Sequence, residues 1–196
     1  MRLIYLHGFR SSSRSFKARL LQARFAAAGR AEHFLSPDLP VEPDHAIGLV
    51  REMLKPVPDD TLVGSSLGGF YATWLAEQTG CRAVLLNPAV HPARDLAGQV
   101  GPQVDYHDGE PFEFEAHHVE QLRRYEVARI TRPERYFLVA AQGDELLDWT
   151  EMVAAFPGAR HRIVAGSDHG LADFESYIEE VLAFAGFGPA GEQACD

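Results

Sequence analysis

Short, unbroken apolar runs alternate with helix-length amphipathic segments along most of this 196-residue chain, and that rhythm most constrains the fold. The runs are 2–7 (RLIYLH), 61–65 (TLVGS), 82–88 (RAVLLNP), 135–142 (RYFLVAAQ) and 159–166 (ARHRIVAG), with a shorter strand-then-turn at 32–40. Strands that are apolar without alternation are buried on both faces. Separated by helices, they predict a mostly parallel α/β sheet of about six strands with helices on both faces. The helices are expected over 11–30, 44–55, 67–79, about 146–155 and 171–186. Serines can cap the first of these, and Gly29 and Gly80 suit helix ends. In the last, Phe174, Ile178, Val181, Leu182 and Ala185 share one face.

The segment 91–132 breaks the rhythm. It reads as a polar Gly/Pro loop to about 111, then a mixed-charge helix from about 115 to 130, inserted where a lid or pocket wall would stand. Residues 1–187 are read as one domain and 188–196 as a flexible tail.

Hydrophobic residues make up 46% of the chain, enough for one substantial core. The formal net charge of −10 argues against a nucleic-acid partner, which needs a basic face. The N-terminal apolar stretch, Leu3 to Leu6, is too short for a signal peptide or a membrane span. Two cysteines, Cys81 and Cys195, make no disulfide framework and are read as reduced thiols, so a cytoplasmic location is expected.

In a parallel sheet, chemistry gathers at the carboxyl ends of the strands. Those ends carry His7-Gly8-Phe9, Ser65-Ser66, Asn87-Pro88, Gly143-Asp144 and Asp168-His169. Gly64-Ser65-Ser66-Leu67-Gly68 fits G-x-S-x-G, with a strand before it and a helix after it. In such a nucleophile elbow the glycines allow a sharp turn that exposes the central hydroxyl. Ser66 is therefore the expected nucleophile. Ser65 is less suited, because Leu67 rather than glycine lies two residues on.

A serine hydroxyl needs a base, and the base needs an orienting acid. The order Ser, Asp, His is met by Ser66, Asp144 and His169. Asp148 and Asp168 compete with Asp144, but Asp148 lies a turn into the next helix and Asp168 suits a cap. His7 competes with His169, but its place suits fixing the loop after the first strand. The backbone N–H groups of Phe9 and Leu67 are the expected oxyanion donors. No cofactor is expected. His117-His118 and Asp105-His107-Asp108 lack metal-ligand spacing, so no metal site is expected. Arg123, Arg124, Arg129 and Arg132 could meet a phosphate, or form a solvated face paired with Glu120 and Glu126. Phe9, Phe70, Phe112 and Phe114 could line an acyl pocket or belong to the core.

Together, YLHGFRSSSRSFKA, VGSSLGGFYATWLAE, NPAV, GDELLDW and GSDHGLADFESY resemble the small bacterial YqiA-like esterases of the α/β-hydrolase superfamily, over residues 1–187. The resemblance implies an α/β-hydrolase fold with little or no cap domain. It implies activity on carboxylic esters or acyl thioesters of small molecules, with Ser66 as nucleophile, Asp144 as acid and His169 as base. Arg10 and Phe16 depart from the pattern, which expects smaller or more polar residues there. Three readings follow: a serine esterase for short to medium acyl chains, an acyl-CoA thioesterase, and a non-catalytic binder on a hydrolase scaffold.

Overall fold

A computed structural model describes residues 1–106 and 109–188. Six strands form one wholly parallel sheet: β1 (Leu3–Leu6), β2 (Phe34–Leu35), β3 (Thr61–Ser65), β4 (Arg82–Leu86), β7 (Tyr136–Ala141) and β8 (Arg160–Val164). Their spatial order is β2-β1-β3-β4-β7-β8. The expected doubly covered sheet is present, and its side chains sort by parity. Leu3, Tyr5, Val63, Val84 and Val139 pack against α1 (Phe16–Ala27) and α7 (Ile178–Phe184). Ile4, Leu6, Leu62, Leu85 and Leu138 face the opposite layer. That layer holds α2 (Pro43–Gly48), α3 (Leu67–Thr79), α5 (Ala116–Arg124) and α6 (Trp149–Ala155). Among the described residues no helix is long and apolar enough to cross a membrane.

The inserted segment differs from its expected form. After the short α4 (Pro92–Asp95), residues read as loop make an antiparallel hairpin of β5 (Gly101–Val104) and β6 (Pro111–Phe114). The missed signal is a period of two: Phe112 and Phe114 share a face and pack on Phe9, with ring centroids 5.8 and 5.0 Å apart. The helix α5 stops at Arg124, short of residue 130. Tyr125 is pulled into tertiary contacts there, stacking edge-on against Trp74 and donating its hydroxyl to Asp44 at 2.7 Å.

Other boundaries shift for similar reasons. The first helix begins only at Phe16, where Ser15 caps it through Ala18 N–H. The helix expected over 44–55 continues past α2 as a wider π-helical turn, Leu49–Leu54, and ends at Lys55 with φ of 47°. Leu171 at φ 52° and a 3-10 turn at Phe174–Ser176 delay α7 to Ile178. The five residues expected on its inner face are nonetheless all buried. The tail beyond Gly188, with Cys195, lies outside the described residues, as do His107 and Asp108.

One ion pair fastens the start of β1 and so aims its far end at the site. Asp60, with its side chain 1% exposed, accepts from Arg2 N–H at 2.7 Å and Nη2 at 2.5 Å, and from Val57 N–H at 3.1 Å. Burial alone would push the Asp60 carboxyl up, but the Arg2 guanidinium and these N–H donors hold it below its ordinary range. Asp60→Ala is expected to cost about 2–3 kcal/mol in urea unfolding near neutral pH, less than a fully buried pair because Arg2 is partly exposed. A lowered carboxyl pKa means the unfolded chain binds more protons. The wild-type advantage should therefore shrink as pH falls below about 4.

Candidate active site

The turn between β3 and α3 places Ser66 in a left-handed conformation, φ 55° and ψ −120°. Non-glycine residues rarely sit there, and the surrounding bonds must hold the strain. Ser66 N–H donates to Leu86 at 3.0 Å, while its carbonyl accepts from Gly69 at 2.9 Å and Ala89 at 3.0 Å. Two glycines make room. A Cβ at position 68 would collide with the carbonyls of Leu6 and His7, and one at position 64 with the carbonyl of Gly68. The small residues therefore let a helix start press directly on two strand ends.

The structure brings the three expected side chains into one relay. His169 Nε2 lies 3.0 Å from Ser66 Oγ, and His169 Nδ1 lies 2.8 Å from Asp144 Oδ2. The Asp144 side chain is fully buried, and its other oxygen accepts from the N–H groups of Leu146 and Leu147, both at 2.9 Å. The hydrogen bonds to both of its oxygens fix the orientation of this carboxylate. The competing acids are used elsewhere. Asp148 caps α6 through Thr150 N–H at 2.8 Å, and Asp168 accepts from Ala172 N–H at 3.0 Å.

His7 holds the loop after β1. Its Nε2 accepts from Leu39 N–H at 2.8 Å, so Nδ1 carries the proton and donates to Gly8 O at 2.9 Å. That loop lies so close to Ser66 that a Cβ at Gly8 would sit 3.0 Å from Ser66 Cβ. Among the described residues, neither Phe9 N–H nor Leu67 N–H has a protein acceptor. Phe9, Leu67 and Ser66 all line one cleft.

Two residues with no expected role hold the histidine loop. Asn87, fully buried at φ 43° beyond β4, donates from Nδ2 to the carbonyls of Asp168 and His169 at 3.0 and 3.1 Å. Its Oδ1 accepts from Ala141 N–H at 2.8 Å. Lys17, buried on α1, donates from Nζ to Gly170 O at 2.5 Å. Burial pulls the Lys17 ammonium down to about 8, against the upward pull of Asp168 and Asp144. The only sequence signals were an Asn-Pro at a strand end and a rare lysine in an arginine-rich chain.

A cleft of about 420 Å³ opens on Ser66 and His169. Phe9, Leu67, Leu96, Tyr106 and Leu147 give it largely apolar walls. Of the four phenylalanines singled out above, only Phe9 lines this cleft. Phe112 lines a smaller recess beside it, and Phe70 and Phe114 are core. Arg123 pairs with Glu120 and Arg124 with Asp44 at 2.6 Å, away from the cleft.

Glu42 joins His117 and His118 in one cluster, with candidate ligand atoms within 4.8 Å of one another. Adjacent histidines gain a third neighbour from a distant loop, which local spacing does not reveal. His118 Nδ1 accepts from Glu115 N–H at 3.0 Å, which leaves the ring proton on Nε2. That tautomer caps α5 and has no free lone pair for a metal.

The parallel sheet, the serine elbow at the end of its third strand and the chain order of the relay define an α/β hydrolase fold. Solved structures share it. A candidate hydrolase from Agrobacterium vitis S4 aligns with TM-score 0.72 and 20% identity, over 94% of this chain and 87% of that one. Est1E of Butyrivibrio proteoclasticus with ferulic acid bound gives 0.67 and 17%, over 95% and 88%. The structure reported for the metagenome-derived lipolytic enzymes LipS and LipT gives 0.65 and 18%, over 93% and 92%. At these identities the likeness is one of fold.

The chain belongs to UPF0227, described as an uncharacterised protein family, whose profile matches residues 2–186. It is the family that the sequence motifs resemble. A member from Vibrio vulnificus strain CMCP6 is 28% identical over 118 residues, 54% of this chain and only 61% of that relative's length. One from Serratia proteamaculans strain 568 is 25% identical over 93% of this chain and 97% of its own.

Lys17 gives a pH test. Between about pH 8 and 10.5 the unfolded chain keeps its Lys17 proton while the folded chain releases it. Wild-type stability, relative to Lys17→Met, should therefore rise with pH across that window in urea titrations. Asn87→Ala frees the His169 loop, and kcat on any substrate is expected to fall about tenfold to a hundredfold, with KM changing less.

Proposed function

We propose that this protein is a serine hydrolase that cleaves carboxylic esters of small molecules. The observation that carries the reading is the Ser66–His169–Asp144 relay, with spacings of 3.0 and 2.8 Å, ending on a serine held in a strained turn. His169 Nε2 takes the Ser66 proton as Oγ attacks the ester carbonyl carbon. The N–H groups of Phe9 and Leu67 receive the developing oxyanion, the latter at the start of α3 where the helix dipole favours negative charge. The imidazolium, steadied by Asp144, passes its proton to the departing alkoxide. Water then attacks the acyl-enzyme with His169 as base, and the acid leaves.

The cleft volume and apolar lining suit short to medium acyl chains. Pro92, Leu96, Gln99 and Tyr106 of segment 91–132 act as its wall. Fold relatives solved with ferulic acid bound, or reported as lipolytic enzymes, accord with an ester substrate. Arg123 and Arg124, two of the four arginines considered for a phosphate, are engaged away from the cleft, which favours an ester over an acyl-CoA substrate.

Hydrolysis of p-nitrophenyl esters of graded acyl length tests the proposal. Wild type should show an optimum among short to medium chains. Ser66→Ala should lose at least about a thousandfold in kcat, and Asp144→Asn about as much, because His169 would be left in the wrong tautomer. Equal turnover by wild type and Ser66→Ala would refute the serine mechanism.

A further inference from the structure

Besides the proposed base His169, the charged side chains lining the cleft on Ser66 are Arg10 and Asp95. Asp95 is taken up by Arg94, whose Nε lies 2.8 Å from it. Arg10 is different. It follows Phe9 directly, so its backbone is part of the loop that offers the oxyanion donor. It has φ 58°, a conformation that a non-glycine residue holds only when neighbours fix it.

Three contacts do so. Its carbonyl accepts from Tyr106 N–H at 3.0 Å, its Nε donates to Val104 O at 2.8 Å, and its guanidinium lies 4.2 Å from the centre of the Tyr106 ring. These leave both terminal Nη groups without a hydrogen-bond partner among the described residues. No carboxylate of those residues lies within ion-pair distance of it. In a chain of net charge −10, a rigidly held guanidinium at the cleft, with no ion-pair partner among the described residues, is unusual chemistry.

We propose that Arg10 makes the cleft selective for esters that carry a carboxylate, in the acyl or the alcohol portion. The inference rests on the ester-hydrolase reading. A guanidinium whose Nε is occupied still offers a pair of N–H groups from Nη1 and Nη2, which matches the two oxygens of a carboxylate. The stack on Tyr106 and the Val104 bond hold that fork in place before substrate arrives, so little side-chain freedom is lost on binding. The apolar wall of Ala89, Leu96 and Leu146 would accompany the carbon chain between the reacting carbonyl and the charge. An acidic protein repels anions at long range, so the local cation acts at contact distance and in the cleft, where screening is weaker.

The test compares mono-p-nitrophenyl adipate with p-nitrophenyl hexanoate, which share acyl length and leaving group and differ in the terminal carboxylate. A second pair, 4-carboxyphenyl and 4-methylphenyl hexanoate, places the charge on the alcohol side. Wild type should favour the anionic member of at least one pair by about tenfold in kcat/KM, chiefly through KM. Because each ratio is internal to one protein, general damage from a substitution cancels. Arg10→Met should bring the ratio to about one. Arg10→Lys keeps the charge without the Val104 bond or the planar stack, and should keep part of the preference, whereas a purely structural Arg10 would make lysine behave as methionine does. Ratios at or below one for both pairs in wild type, or a wild-type ratio kept by Arg10→Met, overturn this assignment alone. Turnover of none of the four esters would overturn the hydrolase reading, and this assignment with it.

Discussion

The carbonyl oxygens of Leu6 and His7 lie against Gly68, where α3 begins, with no space for a side chain between them. Everything at the site depends on that approach. It sets the end of β1 beside the end of β3, brings the Gly8–Phe9 loop onto Ser66, and points the first free N–H of the helix at the same spot. Gly64 does the same one strand pair away, beneath the carbonyl of Gly68. Once the two strand ends and the helix start are pressed together, Ser66 has no choice but its left-handed turn. The bonds from Leu86, Gly69 and Ala89 hold it there. Strain of this kind persists only where the surroundings determine it more than once over, as they do here.

The acid–base arm is built on a different logic. His169 stands on a loop more than a hundred residues from Ser66 in sequence, and a loop has few intrinsic reasons to keep one shape. Its carbonyls are tied down by Asn87 and Lys17, its backbone N–H by Glu145, and its ring by Asp144. These tethers come from β4, α1 and the turn after β7. The proposed relay is thus supported by two strand ends and by α1 on one face of the sheet, which would limit the reorganisation needed as charge moves. Lys17 adds a cation near Asp144 and Asp168, at the cost of burying an ammonium.

What could be read from the sequence follows from how local each cause was. The buried strands were legible because a doubly covered parallel sheet writes unbroken apolar runs, and α3 was legible to the residue because Gly80 at φ 79° ends it. The elbow and the Ser, Asp, His order were legible because turn geometry and strand ends dictate them. The β5–β6 hairpin was missed because its Gly and Pro content masked a two-residue period whose partner, Phe9, lies far away in sequence. The early stop of α5 arises from Tyr125 reaching Asp44 and Trp74, a tertiary effect that no local pattern carries. The tethering by Asn87 and Lys17, and the approach of Glu42 to His117 and His118, could not be read locally for the same reason.

The most direct test of the account is covalent labelling with a fluorophosphonate, read by peptide mass spectrometry. The relay predicts a single adduct on Ser66 in the wild-type protein, none in Ser66→Ala, and labelling slowed by orders of magnitude in His169→Ala, because the hydroxyl reacts only when the imidazole can take its proton. An unlabelled wild-type protein, or an adduct on any residue other than Ser66, would contradict it.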